Sequence, residues 1–150
     1  MNISVQLNDF EPTVEQQALE QFPGAGAVVT FTGLVRNKND GQSVSSLTLE
    51  HYPGMTEKSL EKIVLEAKQR WTLEAVRVIH RVGTLAVGER IVFVGVAATH
   101  RGEAFAACEF IMDYLKTKAP FWKKEQGELE GRWVDARETD DQAAHRWQKG

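Results

Sequence analysis

One cysteine, Cys108, stands in 150 residues. A single thiol cannot staple its own chain, and alone it cannot hold a zinc ion. It suits a reducing compartment. There is no basic surplus either: 18 Lys and Arg face 21 Asp and Glu, a formal net charge of −3. A protein whose main work is gripping nucleic acid usually carries an excess of positive charge, although a local basic pocket remains compatible with this balance. No apolar run approaches the ~18–20 residues that span a membrane. Met1 to Phe10 lacks the basic head and apolar run of a signal peptide, so the expected location is the cytoplasm. The four histidines show no HxH or HExxH spacing, and no metal is expected. Gly24-Ala25-Gly26 lacks the continuation of a dinucleotide-binding loop and precedes a strand instead of following one. No GxSxG elbow, internal repeat or low-complexity linker is found.

What is there reads as one globular domain over residues 1–150, with 42% hydrophobic and 26% charged residues. Thr13 and Gln16 resemble a capping box opening a short helix, Pro12 to Gln21. Ala27–Val35 is rich in β-branched and aromatic types and predicts a strand. The Asp40-Gly41 step predicts a hairpin turn into a second strand, Val44–His51, broken by Tyr52-Pro53-Gly54. Leu60, Ile63, Val64, Ala67 and Trp71 recur at helical spacing and predict a helix over 56–71. Val76, Val78, His80 and Val82 alternate as a strand, with His80-Arg81 read as polar decoration at its end and Gly83–Gly88 as a connection. Ile91–Ala98 is apolar throughout, as in a strand covered on both faces. Ala104, Cys108, Ile111, Leu115 and Ala119 form the stripe of a long helix, 102–119, stopped by Pro120. A short strand near Trp133–Ala136 and a polar helix over 140–147 complete the chain. The order implies an α+β fold with a mostly antiparallel or mixed sheet.

Three places could carry chemistry. Thr99-His100-Arg101-Gly102 opens the long helix, where free N–H groups and the helix dipole favour an anion. Position alone favours the more common arrangement, His100 as a cap and Arg101 as a solvated arginine. Lys116, Lys118, Lys123 and Lys124 fall within nine residues with no acid among them, around Phe121-Trp122. The dipole explains lysines in a last helical turn, but the aromatic pair would pin the segment and fix where Lys123 points. Lys116 shares a helix face with Phe105, Glu109 and Met112, and a lysine beside apolar groups can become a usable acid, base or nucleophile. The third place is Arg36-Asn37 after a strand, with Arg137 a weaker fourth. Cys108, on the core stripe, reads as packing.

The runs GAVVTFTGLVRN (26–37), LTLEHYPGM (47–55), IVFVGVAATHR (91–101), FIMDYLKTKAPFWKKE (110–125) and RWVDAR (132–137) resemble the MoaE family of molybdopterin synthase catalytic subunits. The likeness covers about residues 25–147, and nothing is carried over for residues 1–24. It implies a single domain of α/β hammerhead type and a homodimer. It also implies a small ubiquitin-like sulfur-carrier subunit, MoaD-like, at each outer end, making a heterotetramer. The carrier's C-terminal Gly-Gly tail, as a thiocarboxylate, supplies the sulfur, so no cofactor is implied. The implied substrate is cyclic pyranopterin monophosphate, precursor Z, with two transfers making the dithiolene of molybdopterin. The resemblance further implies Lys116 and Lys123 as catalytic residues. It implies Arg36, His100 and Arg101 for the anion, Arg137 from across the dimer, and Phe31 and Met112 lining the pocket.

Three other readings of the same residues stay open here. One is a dimeric anion sensor. Another is an acyl- or phosphoryl-group enzyme with a nucleophilic Lys116. The third is a single-strand nucleic-acid binder using residues 116–124.

Overall fold

A computed structural model describes residues 2–39, 42–119, 121–127, 132–134 and 138–149. Strand β1 (Ile3–Gln6) and helix α1 (Pro12–Glu20) lead into β2 (Ala27–Leu34), β3 (Lys38–Asn39) and β4 (Gln42–His51). Helix α2 (Met55–Arg70) precedes β5 (Ala75–Arg81), β6 (Gly83–Ala86) and β7 (Arg90–Ala98). Helix α3 (Arg101–Lys118), β8 (Phe121–Gly127), β9 (Arg132–Val134), α4 (Glu138–His145) and a 3-10 turn (Arg146–Lys149) follow.

One sheet has the order β1-β5-β7-β2, with β1 parallel to β5 and the other pairs antiparallel. The second runs β3-β4-β8-β9, with β6 also on β4, all antiparallel. This is the expected α+β fold with mixed and antiparallel sheets.

Strand β7 explains the layering. Its apolar run lets every residue from Val92 to Ala98 be buried, because both faces are covered. On one side Phe93 and Ala97 meet Phe10, Leu19 and Ile79, so α1 and the segment before it form the cover. On the other side Val92, Val94, Val96 and Ala98 meet the apolar stripes of α2 and α3. A smaller core of Val35, Leu47, Leu49 and Leu85 fills the space under the second sheet.

Several expectations need correction. Thr13 and Gln16 form no capping box: Glu11 is the N-cap without a side-chain bond, Pro12 opens the helix, and Gln16 donates to Glu20 instead. Residues 83–86 are a strand, not a connection, because Gly83–Ala86 finds the edge of β4. Strands β1 and β8 were not expected from local pattern. The Asp40-Gly41 turn lies outside the described residues, but Asn39 pairs with Gln42 across it, as a hairpin requires. The tail helix starts earlier than expected, at Glu138.

His80 and Arg81 are not decoration either: both are buried. Arg81 donates from Nε and Nη2 to the Leu7 carbonyl and from Nη1 to the Arg90 carbonyl and Glu89. Arg90 in turn grips Asp9 through two bonds of 3.1 and 3.0 Å, and Glu11. This cluster staples the N-terminal segment to the sheet. The Arg90 hydrogen bond holds the Asp9 carboxyl below its ordinary range. For Glu89 the Ala86 N–H has the same effect first, and Arg81 adds to it. Stability drawn from these groups is complete above their ordinary values of 3.8 and 4.5 and is lost as pH falls through the depressed ones. The thermal midpoint of the wild type should therefore drop between pH 7 and pH ~3 by more than that of Asp9→Asn/Glu89→Gln. Equal drops would show that the cluster contributes nothing to acid sensitivity.

Candidate active site

Helix α3 returns over the sheet from the end of β7. Ala27 of β2 pairs with Ala98, and at the far end Gly33 pairs with Val92, which also faces His80 of β5. Halfway along, the Cys108 thiol points at the Val94 carbonyl, 3.8 Å away. The last turn of α3 therefore lies beyond Val94, toward the start of β7. Burial pushes the Cys108 thiol up to about 12, so it stays protonated and serves packing.

Four expected site residues lie between the level of Val94 and this far end, on β2, α3 and the segment after β2. Phe31 lies on β2, the end strand of the first sheet among the described residues, and is 40% exposed. Its ring sits over Gly33, where an added Cβ would come within 3.3 Å of it and 2.7 Å of Val92. The absence of a side chain at 33 leaves that ring its place. Met112 is half-buried against the main core, and one helical turn on is the half-buried Lys116. Arg36 is exposed just beyond β2. The preceding Val35 is locked by a bond from its N–H to the Glu89 carbonyl and one to its carbonyl from Gly88. Lys123 stands in β8 at the register position opposite Leu49 of β4 and Val134 of β9. Arg137 lies outside the described residues, as does the Trp122 side chain of the expected aromatic anchor.

His100 and Arg101 are elsewhere. His100 is the N-cap of α3, extended and without a side-chain capping bond, and Arg101 is the first helical residue; both are exposed. Their loop is seated on the Gly24–Gly26 segment: the Thr99 hydroxyl donates to the Gly24 carbonyl, and a Cβ on Gly26 would meet the Thr99 oxygen at 2.2 Å. These glycines thus serve chain packing, not phosphate binding. From Arg101 to Lys116 the helix rises roughly 22 Å. One chain therefore offers two separate basic ends, and a single phosphate cannot touch both.

Sequence reasoning missed the contact between His80 and Phe121. The two rings stack with centroids 3.8 Å apart and 19° between planes, where the chain leaves α3 for β8. Only the composition Phe-Trp after a proline hinted at an anchor there. A groove lined by Lys62, Ile63, Glu66, Tyr114, Lys118 and Gln148 runs beside α3 and contains none of the expected site residues.

The sequence model of the MoaE protein family matches residues 5–118, reaching further toward the N-terminus than the residue runs alone. The molybdopterin synthase catalytic subunit of Vibrio cholerae serotype O1 is 59% identical over 146 residues, 97% of each chain. The solved structure of molybdopterin cofactor biosynthesis protein E from Burkholderia multivorans superposes with a TM-score of 0.83 at 53% identity, covering 98% of this chain and 96% of that one. A chain from the complex of subunits 1 and 2 of molybdopterin-converting factor from Helicobacter pylori shares the fold, with a TM-score of 0.73, 20% identity and 92% coverage of each.

Proposed function

The chain belongs to the MoaE protein family, that of molybdopterin synthase catalytic subunits, and from this premise we propose how its residues transfer sulfur. The donor is the C-terminal thiocarboxylate of a small ubiquitin-like carrier, the acceptor cyclic pyranopterin monophosphate, and the product the dithiolene of molybdopterin. The observation that carries the reading is the placing of Lys116 and Lys123 on the two elements that meet at one end of the fold. An ammonium there steadies the thiocarboxylate and the oxyanion that forms when the carrier's carbonyl carbon releases its sulfur. A second amine moves the protons that accompany loss of the pterin side-chain oxygen. Phe31 and Met112 supply an apolar wall for the flat pterin. A carrier tail ending in Gly-Gly suits a narrow groove, because glycine lets two backbones approach closely. Complex formation in the Helicobacter pylori relative supports a carrier partner.

The two basic ends favour a site built from two copies. Lys116 and Lys123 of one chain serve the reacting centre and its Arg36 the substrate's anion, while His100 and Arg101 of a second chain hold the phosphate on exposed helix N–H groups. Arg137 joins from across the same homodimer. Single changes at Arg101 or Arg36 should raise the KM for the pterin by roughly tenfold or more, the worth of a charge-assisted hydrogen bond.

Complementation tests the composite site. Lys116→Ala and Arg101→Ala chains, each measured alone and then mixed after subunit exchange, are assayed at low pterin concentration. Mixed dimers carry one intact and one doubly damaged site, so activity should recover toward roughly a quarter of wild type. A mixture no more active than the average of its parts would place both residues in one chain's site and contradict the two-copy arrangement.

A further inference from the structure

We propose that His80 is a positioning residue for sulfur transfer: its ring is the platform that sets the spacing between the Lys116 helix and the Lys123 strand.

Pairing with β4 and β9 fixes the register of β8 within its own sheet, and the join to α3 is made at its first residue. Helix α3 ends at Lys118, Ala119 is already extended (φ −88°, ψ 133°), and β8 begins at Phe121. The Phe121 N–H reaches back to the Ala119 carbonyl at 3.0 Å, a tight local turn that fixes direction but not depth. The Phe121 ring then lies flat on His80, centroids 3.8 Å apart. Lys123 follows two residues later, opposite Leu49.

The platform itself is rigid. His80 is 3% exposed on β5, in register with Val92 of the buried β7 and Val5 of β1. Its Nδ1 lies 2.8 Å from the Arg81 carbonyl. A carbonyl oxygen can only accept, so Nδ1 carries the proton and the ring's orientation is held. Arg81 is clamped in turn to the Leu7 carbonyl and Glu89. The ring thus belongs to the first sheet, whereas Phe121 opens a strand of the second, and the stack joins the two. A buried leucine would fill the same space. A flat ring hydrogen-bonded along its edge instead offers a defined face and height, which suits positioning better than simple filling.

The inference rests on Lys123 taking part in the reaction, so the experiment separates the two. His80→Asn removes the ring; His80→Phe keeps a ring without the Nδ1 bond; Phe121→Leu removes the other half of the stack. Each folded variant, with Lys123→Ala alongside, is assayed for sulfur transfer with thiocarboxylated carrier and pyranopterin monophosphate. Amide hydrogen exchange of residues 121–127 is followed in parallel. His80→Asn and Phe121→Leu should lower kcat roughly ten- to a hundredfold, the cost of about an ångström of misplacement, with the pterin KM little changed. They should also speed exchange in β8. His80→Phe should recover part of the kcat, because it keeps the ring's face but loses the bond that holds it. Wild-type kcat in His80→Asn, or His80→Phe as slow as His80→Asn, would overturn the proposal. If His80→Asn does not fold, Phe121→Leu decides alone, by the same kcat and exchange criteria. An active Lys123→Ala would instead remove the role given to Lys123, while the exchange arm would still report whether the stack holds β8.

Discussion

Lys116→Ala is expected to abolish sulfur transfer, with kcat falling roughly 10²–10⁴-fold, while the protein should keep its fold and its carrier binding. The side chain is half-buried in the last turn of α3, so its loss opens no core cavity. Lys116→Arg discriminates further. It keeps the positive charge and the helix-terminal dipole interaction but replaces a compact amine with a planar guanidinium that does not give up its proton. If the amine moves protons, Lys116→Arg stays nearly as slow as Lys116→Ala. An anion sensor would tolerate it, with phosphate affinity retained. The measurement is single-turnover transfer from thiocarboxylated carrier, with circular dichroism on the same samples. Wild-type rates from Lys116→Ala would take Lys116 out of the chemistry.

Phe110→Ala is expected to give the largest loss of stability, roughly 3–5 kcal/mol, the usual range for deleting a fully buried ring. Phe110 is completely buried on α3 and lies edge-on to Trp71, Tyr114 and Trp147, with centroids 5.5, 4.6 and 5.6 Å away. The Arg70 guanidinium stands 4.8 Å above its ring. Trp147 comes from the C-terminal turn, and its indole N–H donates to Asp113, which Arg146 also engages. Removing the ring therefore loosens α2, α3 and the tail together. Set against a typical ~5–15 kcal/mol of total stability, the loss is large. Urea titration should show a lower midpoint at an unchanged slope, with Phe110→Leu between the two. A loss below about 1 kcal/mol would mean the site collapses to fill the gap. Because α3 carries both Met112 and Lys116, the variant should also lose activity as it loosens.

The elements that were readable from the chain are those whose pattern is local. The apolar run of β7 and the stripes of α2 and α3 report burial on both faces of a strand and on one face of a helix, and the structure has them within a residue or two. Strand β8 was not readable, because Lys123 and Lys124 make it look like a solvated tail; it becomes a strand only by pairing with β4, far earlier in the chain. Strand β6 hid between two glycines for the same reason. Burial of His80 and Arg81 depends on Phe121 and Leu7, partners that no window around residue 80 contains. The site divides likewise. Lys116, Phe31 and Met112 followed from the family likeness, and the fold sets Phe31 on β2 and the other two one turn apart on α3. The roughly 22 Å between Arg101 and Lys116 was already implied by fifteen residues of helix, and only the return of α3 over the sheet gives that length its meaning.

Purified protein, carrier bearing a C-terminal thiocarboxylate and cyclic pyranopterin monophosphate are mixed, and dithiolene product is followed by mass spectrometry as the carrier's C-terminus changes from thiocarboxylate to carboxylate. Two carriers consumed for each molybdopterin formed is the predicted result. No dithiolene from a folded protein that binds the carrier would contradict the account, leaving a shared fold and an anion-binding surface.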